Sequence, residues 1–190
     1  LLNLKTVVIY SDLKRVPQRG RDTPMPVKKL TALALYTTLS LAIYAAESMI
    51  PPLVPIPGIK LGLANIITLV VLRRYSPGDA CLVLTARILL SSLLFGQAVS
   101  LLYSLAGGAF SLLAMYLAGR LLGRKMSFLT GAMGGLTHNL GQLLTALVLT
   151  ATPGVLAYLP FLALSGILTG LFTGFAAAFS ERLLPSHLRH

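Results

Sequence analysis

Six long apolar runs, separated by short polar or basic segments, dominate the hydrophobic pattern of this chain. A helix needs about 20 apolar residues to cross a bilayer, and lipid offers no hydrogen-bond partners to an open backbone. The pattern therefore predicts an all-α integral membrane protein with six transmembrane helices. The second and third runs are short for an upright crossing, so we expect the outer end of the second to lie below the headgroups. The runs extend approximately over Leu30–Ile50, Leu61–Leu72, Ala80–Phe95, Val99–Leu122, Phe128–Thr150 and Val155–Phe179.

Composition argues against a water-soluble protein and against a nucleic-acid-binding protein. Hydrophobic residues make up 55% of the 190 residues and charged residues 11%, which argues against a water-soluble domain. The net charge of +11 does not indicate nucleic-acid binding, because the basic residues flank apolar segments rather than a soluble domain. Contact of these basic residues with the membrane surface is the better interpretation.

The basic residues also predict the topology. Fourteen of the 16 Lys and Arg residues fall on one side if all six segments cross, and the loops 51–58, 96–98 and 151–154 on the other side contain none. Because cytoplasmic segments retain basic residues, both termini are expected in the cytoplasm. We expect a flexible basic arm (residues 1–27), a membrane domain (28–182) and a short tail (183–190). The fourteen are Lys5, Lys14, Arg15, Arg19, Arg21, Lys28, Lys29, Arg73, Arg74, Arg120, Arg124, Lys125, Arg182 and Arg189.

A small set of polar residues interrupts the apolar runs in the outer half of the membrane or at its midplane. Charged and amide side chains at such depth are expensive and usually functional. His138 and Gln142 share one helix face, whereas Asn139 is rotated by about 100 degrees toward a neighbouring helix. The set predicts either a binding site or hydrogen bonds between helices. Its members are Glu47, Lys60, Asn65, Arg87, Gln97, His138, Asn139 and Gln142.

The charges within this set favour an anionic ligand. Lys60 and Arg87 supply two cations, and Glu47 supplies one acid. If the three side chains share a cavity, one positive charge is left to attract a carboxylate or phosphate. A structural ion pair between Glu47 and one of the cations is the alternative. The proline-rich loop Pro51–Gly58 is interpreted either as a lid over the site or as a rigid connector.

Small residues recur at four-residue spacing, which lets helices approach closely in lipid. The first segment carries Ala34, Thr38, Ala42 and Ala46; the fifth carries Gly131 and Gly135; the sixth carries Gly166, Gly170 and Gly174. Packing within the protein explains all three stripes. A partner-docking surface is the alternative for the first.

Catalytic, metal and cofactor motifs are absent from the sequence. No acidic pair of the DDxxD kind is present to hold magnesium, and no Walker A loop is present to bind ATP. Cys81 is the single cysteine, and no second His or Cys accompanies His138 at its depth. We therefore predict a protein that is not an enzyme and that binds no metal or cofactor.

Three stretches resemble the Gx transporter family, whose members are often labelled heptaprenyl diphosphate synthase component I. They are PGIKLGLANIITL (Pro57–Leu69), ARILLSSLLFG (Ala86–Gly96) and GGLTHNLGQLL (Gly134–Leu144). The resemblance covers about Lys28 to Arg182. That family is similar to the substrate-binding S components of energy-coupling factor (ECF) transporters, which are six-helix proteins of prokaryotic cell membranes.

The resemblance implies an S-component-like bundle with an outward-facing pocket and a docking face on the first helix. Its partners would be a transmembrane subunit and two ATPases, and its substrate a vitamin or an isoprenoid-quinone precursor. The charges of the polar set independently favour a small anionic organic solute. The family label implies an alternative, a non-catalytic membrane subunit that assists a polyprenyl diphosphate synthase.

Overall fold

The computed structural model describes residues 26–50, 59–95 and 98–183, and within these ranges it contains six α-helices and no strand. The prediction of an all-α chain with one helix for each apolar run is confirmed. Two short 3₁₀ segments, Arg124–Met126 and Pro153–Tyr158, flank the fifth helix. The helices are α1 (Val27–Ser48), α2 (Asn65–Arg74), α3 (Pro77–Phe95), α4 (Ala98–Leu122), α5 (Ser127–Thr150) and α6 (Leu159–Leu183).

Residues Thr31–His190 belong to one compact unit, and the described residues 26–30, at the start of α1, belong to a separate unit. Most of the predicted arm, the Pro51–Gly58 loop, Gln97 and the tail from residue 184 lie outside the described residues.

Length and composition make this a multi-pass membrane protein. The stretches Val27–Ser48, Pro77–Phe95, Val99–Leu122 and Pro153–Leu183 are each long and apolar enough to cross a membrane. Large apolar side chains on their outer faces are open to the surroundings, with Leu93 80% and Leu121 85% exposed, as expected of helices that face lipid. The ten residues of α2 reach only about 15 Å, half of the hydrocarbon thickness.

The prediction for the second run was wrong at its beginning. Residues 61–64, which we expected to be helical, are not, and α2 begins only at Asn65. Gly62 adopts a left-handed φ of 83°, which interrupts a right-handed helix at that point. Non-helical backbone at membrane depth is tolerated where protein surrounds it.

Helix α3 begins three residues earlier than the apolar run. Ser76 and Asp79 form a capping box: Asp79 Oδ2 accepts a hydrogen bond from Ser76 N (3.0 Å), and Ser76 Oγ accepts one from Asp79 N (3.2 Å). Pro77 occupies the first helical turn, where its missing N–H costs nothing.

The closest helix packing joins α5 and α6 through glycine. A Cβ built on Gly131, Gly135 or Gly170 would lie closer than 3.0 Å to backbone atoms of the facing helix. Ser127 Oγ also donates to the Gly174 carbonyl oxygen at 2.9 Å. The stripes on these two helices therefore serve packing within the protein, as predicted.

The stripe on α1 behaves differently. Leu33, Ser40, Tyr44 and Glu47 are buried on the inner side of this helix. The four small residues Ala34, Thr38, Ala42 and Ala46 are exposed. Packing within the protein does not explain this stripe, and that interpretation was wrong for α1.

The glycine interface predicts a selective loss of stability. Replacing Gly135 by Val should force α5 and α6 apart and destabilise the protein by about 1–3 kcal/mol or more, because backbone atoms cannot yield as side chains do. Gly119→Ala is the matched control, since a Cβ there meets only Thr130 Cγ2, at 4.0 Å. Melting temperatures in detergent measure both. Equal melting temperatures for Gly135→Val and the wild type would contradict the interface.

Candidate functional site

The non-helical segment Ile59–Ala64 lies inside the bundle, where its backbone contacts α1, α5 and α6. Its Lys60 N–H donates to Gln142 Oε1 at 3.3 Å, and its Leu61 carbonyl accepts from Thr169 Oγ1 at 3.3 Å. These bonds satisfy backbone groups that lipid could not, and they hold the segment against the side chains of α5.

Glu47 is the main partner of this segment. The carboxylate is 4% exposed, and it accepts hydrogen bonds from Gly62 N (2.7 Å, Oε1) and Leu63 N (3.0 Å, Oε2). A carboxylate at the start of a helix stabilises the unpaired N–H groups there. Among the described residues Glu47 forms no ion pair with Lys60 or Arg87, so the structural ion pair that we considered is not what its carboxylate makes.

The two cations share one aromatic ring. Lys60 Nζ lies 3.4 Å from the centroid of the Tyr44 ring and donates to Ser48 Oγ, and Arg87 Cζ lies 5.6 Å from the same centroid. The Tyr44 hydroxyl and Ser100 Oγ share a hydrogen bond of 3.0 Å, which fixes the ring. Cation–π attraction offsets part of the cost of holding two positive charges together.

His138 is enclosed by two glycines. A Cβ on Gly62 would lie 2.7 Å from His138 Cδ2, and a Cβ on Gly107 would lie 2.9 Å from its Nδ1. Only residues without a side chain let the segment and α4 approach the imidazole this closely. Spacing alone did not identify these glycines, although Gly62 stands within one of the motifs quoted above.

Several buried polar atoms at the site lack a hydrogen-bond partner among the described residues. They are Nε and Nη2 of Arg87 and both amide atoms of Asn65. Buried polar groups are normally paired, so such a concentration in one place indicates a requirement for further acceptors and donors. Arg87 is only 3% exposed, which makes the requirement strongest there.

These side chains surround a cavity of about 10 Å³. That volume is close to the roughly 10–15 Å³ that one water molecule needs, so the site is closed in this conformation. Six of the eight predicted site residues line it: Glu47, Lys60, Asn65, Arg87, His138 and Gln142. Sequence reasoning missed the other lining residues, Tyr44, Gly62, Ala64 and Ser104.

Asn139 does not line the cavity, and its expected place is corrected. Its Nδ2 donates to the Leu162 carbonyl at 2.8 Å and to Ser165 Oγ at 3.1 Å, both on the α6 side. The cause is its rotation of about 100 degrees from His138 along α5. Asn139 therefore joins α5 to α6, and Gln97 lies outside the described residues.

The arrangement suits anion binding. Two cations and one carboxylate line the cavity, and that carboxylate already accepts two backbone hydrogen bonds. Within the described ranges no group of three His, Cys, Asp or Glu residues is placed to hold a metal ion.

Comparison with known proteins gives one match, to a family model. No curated protein and no solved structure matches the chain. The family model described as heptaprenyl diphosphate synthase component I matches residues 36–180, which is more than half of the sequence and includes the cavity-lining residues. The chain belongs to the heptaprenyl diphosphate synthase component I family.

Proposed function

We propose that this protein is an S-component-like membrane subunit that captures a small anionic organic solute from the outer side of the cell membrane. The observation that carries the proposal is the Arg87 guanidinium, which is buried beside the cavity with Nε and Nη2 unpaired among the described residues. A carboxylate or phosphate accepts from such a donor with a charge-assisted hydrogen bond.

The neighbouring groups fit the same role. Lys60 adds a second positive charge, and the unpaired amide of Asn65 can both donate and accept. His138 and Gln142 complete the polar wall in this proposal. Glu47 is engaged by the backbone of Gly62 and Leu63, so it shapes the site and does not contact the solute.

Binding requires the site to open. A cavity of about 10 Å³ does not admit an organic anion. The bonds that close it join α1 to the Ile59–Ala64 segment, through Glu47 to Gly62 and through Ser48 to Lys60. Movement of α1 away from this segment would therefore open the site.

The exposed stripe on α1 supports a partner that drives this movement. Ala34, Thr38, Ala42 and Ala46 form a smooth surface on which another helix can pack. In this proposal the partner is an ECF-type transmembrane subunit with two ATPases. It would act on the helix that carries Glu47 and Ser48.

Six crossings with both termini in the cytoplasm complete the proposal. The described basic residues at the ends of α2, α4 and α6 belong to one end of the bundle, where Arg73 pairs with Glu181. The loop between α5 and α6 has no Lys or Arg and belongs to the other.

The family match favours a second candidate function. The family is described as component I of heptaprenyl diphosphate synthase, and in this candidate the chain is a non-catalytic membrane subunit of a polyprenyl diphosphate synthase complex. This candidate predicts co-purification with a soluble synthase and stimulation of its activity. Recovery of ATPase subunits instead would favour transport.

The topology is tested with single cysteines in a Cys81→Ser background. Thr152→Cys should react with a membrane-impermeant maleimide on intact cells, because the α5–α6 loop lies outside. Lys125→Cys should react only after the membrane is permeabilised. Both native side chains are exposed, so burial does not hide either position. The reverse labelling pattern, or equal labelling of both sites, would contradict the topology.

Mass spectrometry of small molecules that co-purify with the gently extracted protein tests the Arg87 site. We expect an anionic organic molecule with the wild type and at least about a tenfold lower amount with Arg87→Ala, because a hydrogen bond to a charged group contributes about 1.5–3 kcal/mol. Arg182→Ala is the matched control, since Arg182 is exposed at the end of α6. Melting temperatures show whether each variant is folded. Equal amounts of the same molecule with folded Arg87→Ala and wild type would disprove the assignment.

A further inference from the structure

A second, larger cavity lies at the basic end of the bundle, where α2 and α4 end and α3 and α5 begin. Its volume is about 400 Å³, which falls in the range of roughly 300–1,000 Å³ typical of small-molecule sites. It contains none of the residues of the Arg87 site. Its lining residues are Leu69, Leu72, Arg73, Pro77, Met115, Tyr116, Gly119, Arg120, Gly123 and Thr130.

The floor of this basic-end cavity is apolar and its rim is cationic. Leu69 and Met115 are fully buried at 0% exposure. Arg73 makes a bidentate pair with Glu181, with bonds of 2.8 and 3.0 Å, so its charge is matched. Arg120 is exposed, lies 5.3 Å from the Tyr116 ring and makes no ion pair within the described part of the chain. The rim therefore offers one cation whose charge is not matched.

An apolar groove continues from the cavity between α3 and α4. The groove has a volume of about 330 Å³, and it shares Pro77 and Tyr116 with the cavity. Its remaining lining is mostly aliphatic, with Leu84, Ile88 and Leu112 among the residues. A cation at the bundle end beside an apolar groove along the helices matches a molecule with an anionic head and a hydrocarbon tail.

Glycine keeps the cavity open. A Cβ on Gly119 would meet only Thr130 Cγ2 at 4.0 Å, and a Cβ on Gly123 would meet nothing within 4 Å. The bare backbone of these two residues leaves room that a larger side chain would occupy. Gly119 thus offers a substitution that fills the cavity without a backbone clash.

We propose that the basic-end cavity and the adjoining groove bind an anionic phospholipid, with its phosphate at Arg120 and one acyl chain between α3 and α4. Basic pockets between transmembrane helices on the cytoplasmic side are suited to such headgroups, because that leaflet carries the anionic lipids. The site is separate from the Arg87 cavity and stands whether or not that cavity binds a solute.

Native mass spectrometry of the full chain in detergent tests the site. Phosphatidylglycerol should remain bound at higher occupancy than phosphatidylcholine. Arg120→Gln should lower the affinity for phosphatidylglycerol about fivefold, since a basic residue near the lipid surface contributes about 1 kcal/mol. Arg182→Gln, which removes an exposed cation at the same end, should leave it unchanged. Gly119→Leu should abolish the selective binding, whereas Gly119→Ala should keep it.

Alkylation of Cys81 tests where the acyl chain of the lipid lies. Cys81 lines the groove, is exposed and is the one cysteine in the sequence. Phosphatidylglycerol should slow its reaction with a maleimide, and inorganic phosphate should not. Equal occupancy of both lipids in the wild type, or occupancy unaffected by both Arg120→Gln and Gly119→Leu, would overturn the proposal. Unchanged alkylation of Cys81 with lipid bound would overturn the placement of the acyl chain.

Discussion

The bond between the Glu47 carboxylate and the backbone of Gly62 and Leu63 is the contact on which the candidate site depends. Because Gly62 and Leu63 precede α2, which begins at Asn65, their N–H groups have no intrahelical partner inside a membrane protein. Each would cost about 1–3 kcal/mol if left unpaired. One carboxylate satisfies both and at the same time fastens the end of α1 to the start of α2. In the same segment, Lys60 donates its N–H to Gln142 while its ammonium group lies over Tyr44.

Helix α5 connects this site to the rest of the bundle because its faces have different chemistry. Its Gly131, Gly135 and Asn139 meet α6 so closely that the helix pair has little room to adjust. Its His138 and Gln142 line the cavity, and His138 is rotated by about 100 degrees from Asn139. A rigid α5–α6 pair fixes one wall of the site, whereas α1 is held by polar contacts near its end. The part of the site that can move is therefore the part that Glu47 and Ser48 supply.

Much of this arrangement could be predicted from the sequence, because apolar runs of membrane length and rare polar residues at matching depth are strong signals. They located six helices and six of the residues around the cavity. The direction of Asn139 also followed from its rotation along the helix. The partners of Glu47, the N–H groups of Gly62 and Leu63, could not be predicted, since a count of charged side chains does not include the backbone. Whether a backbone N–H is free to bind a carboxylate depends on where the helix begins. The early start of α3 was readable in Ser76, Pro77 and Asp79, but the apolar pattern drew the boundary later.

The contrast between the partly buried Arg73 and the buried Arg87 shows why Arg87 points to a ligand. Arg73 has a carboxylate that meets its guanidinium with two parallel bonds, as a structural arginine requires. Arg87 is more deeply buried, and it lies near the Tyr44 ring. Its Nε and Nη2 donors have no hydrogen-bond partner in the described part of the chain. A diphosphate ester is an anion as well, so the requirement for an anionic ligand is common to both candidate functions.

The two candidate functions differ in where a partner must act. A transport motor has to act on α1 within the membrane to separate Glu47 from Gly62, whereas a soluble synthase can reach only residues outside it. The exposed stripe of α1 lies where the transport motor would act, and this favours transport.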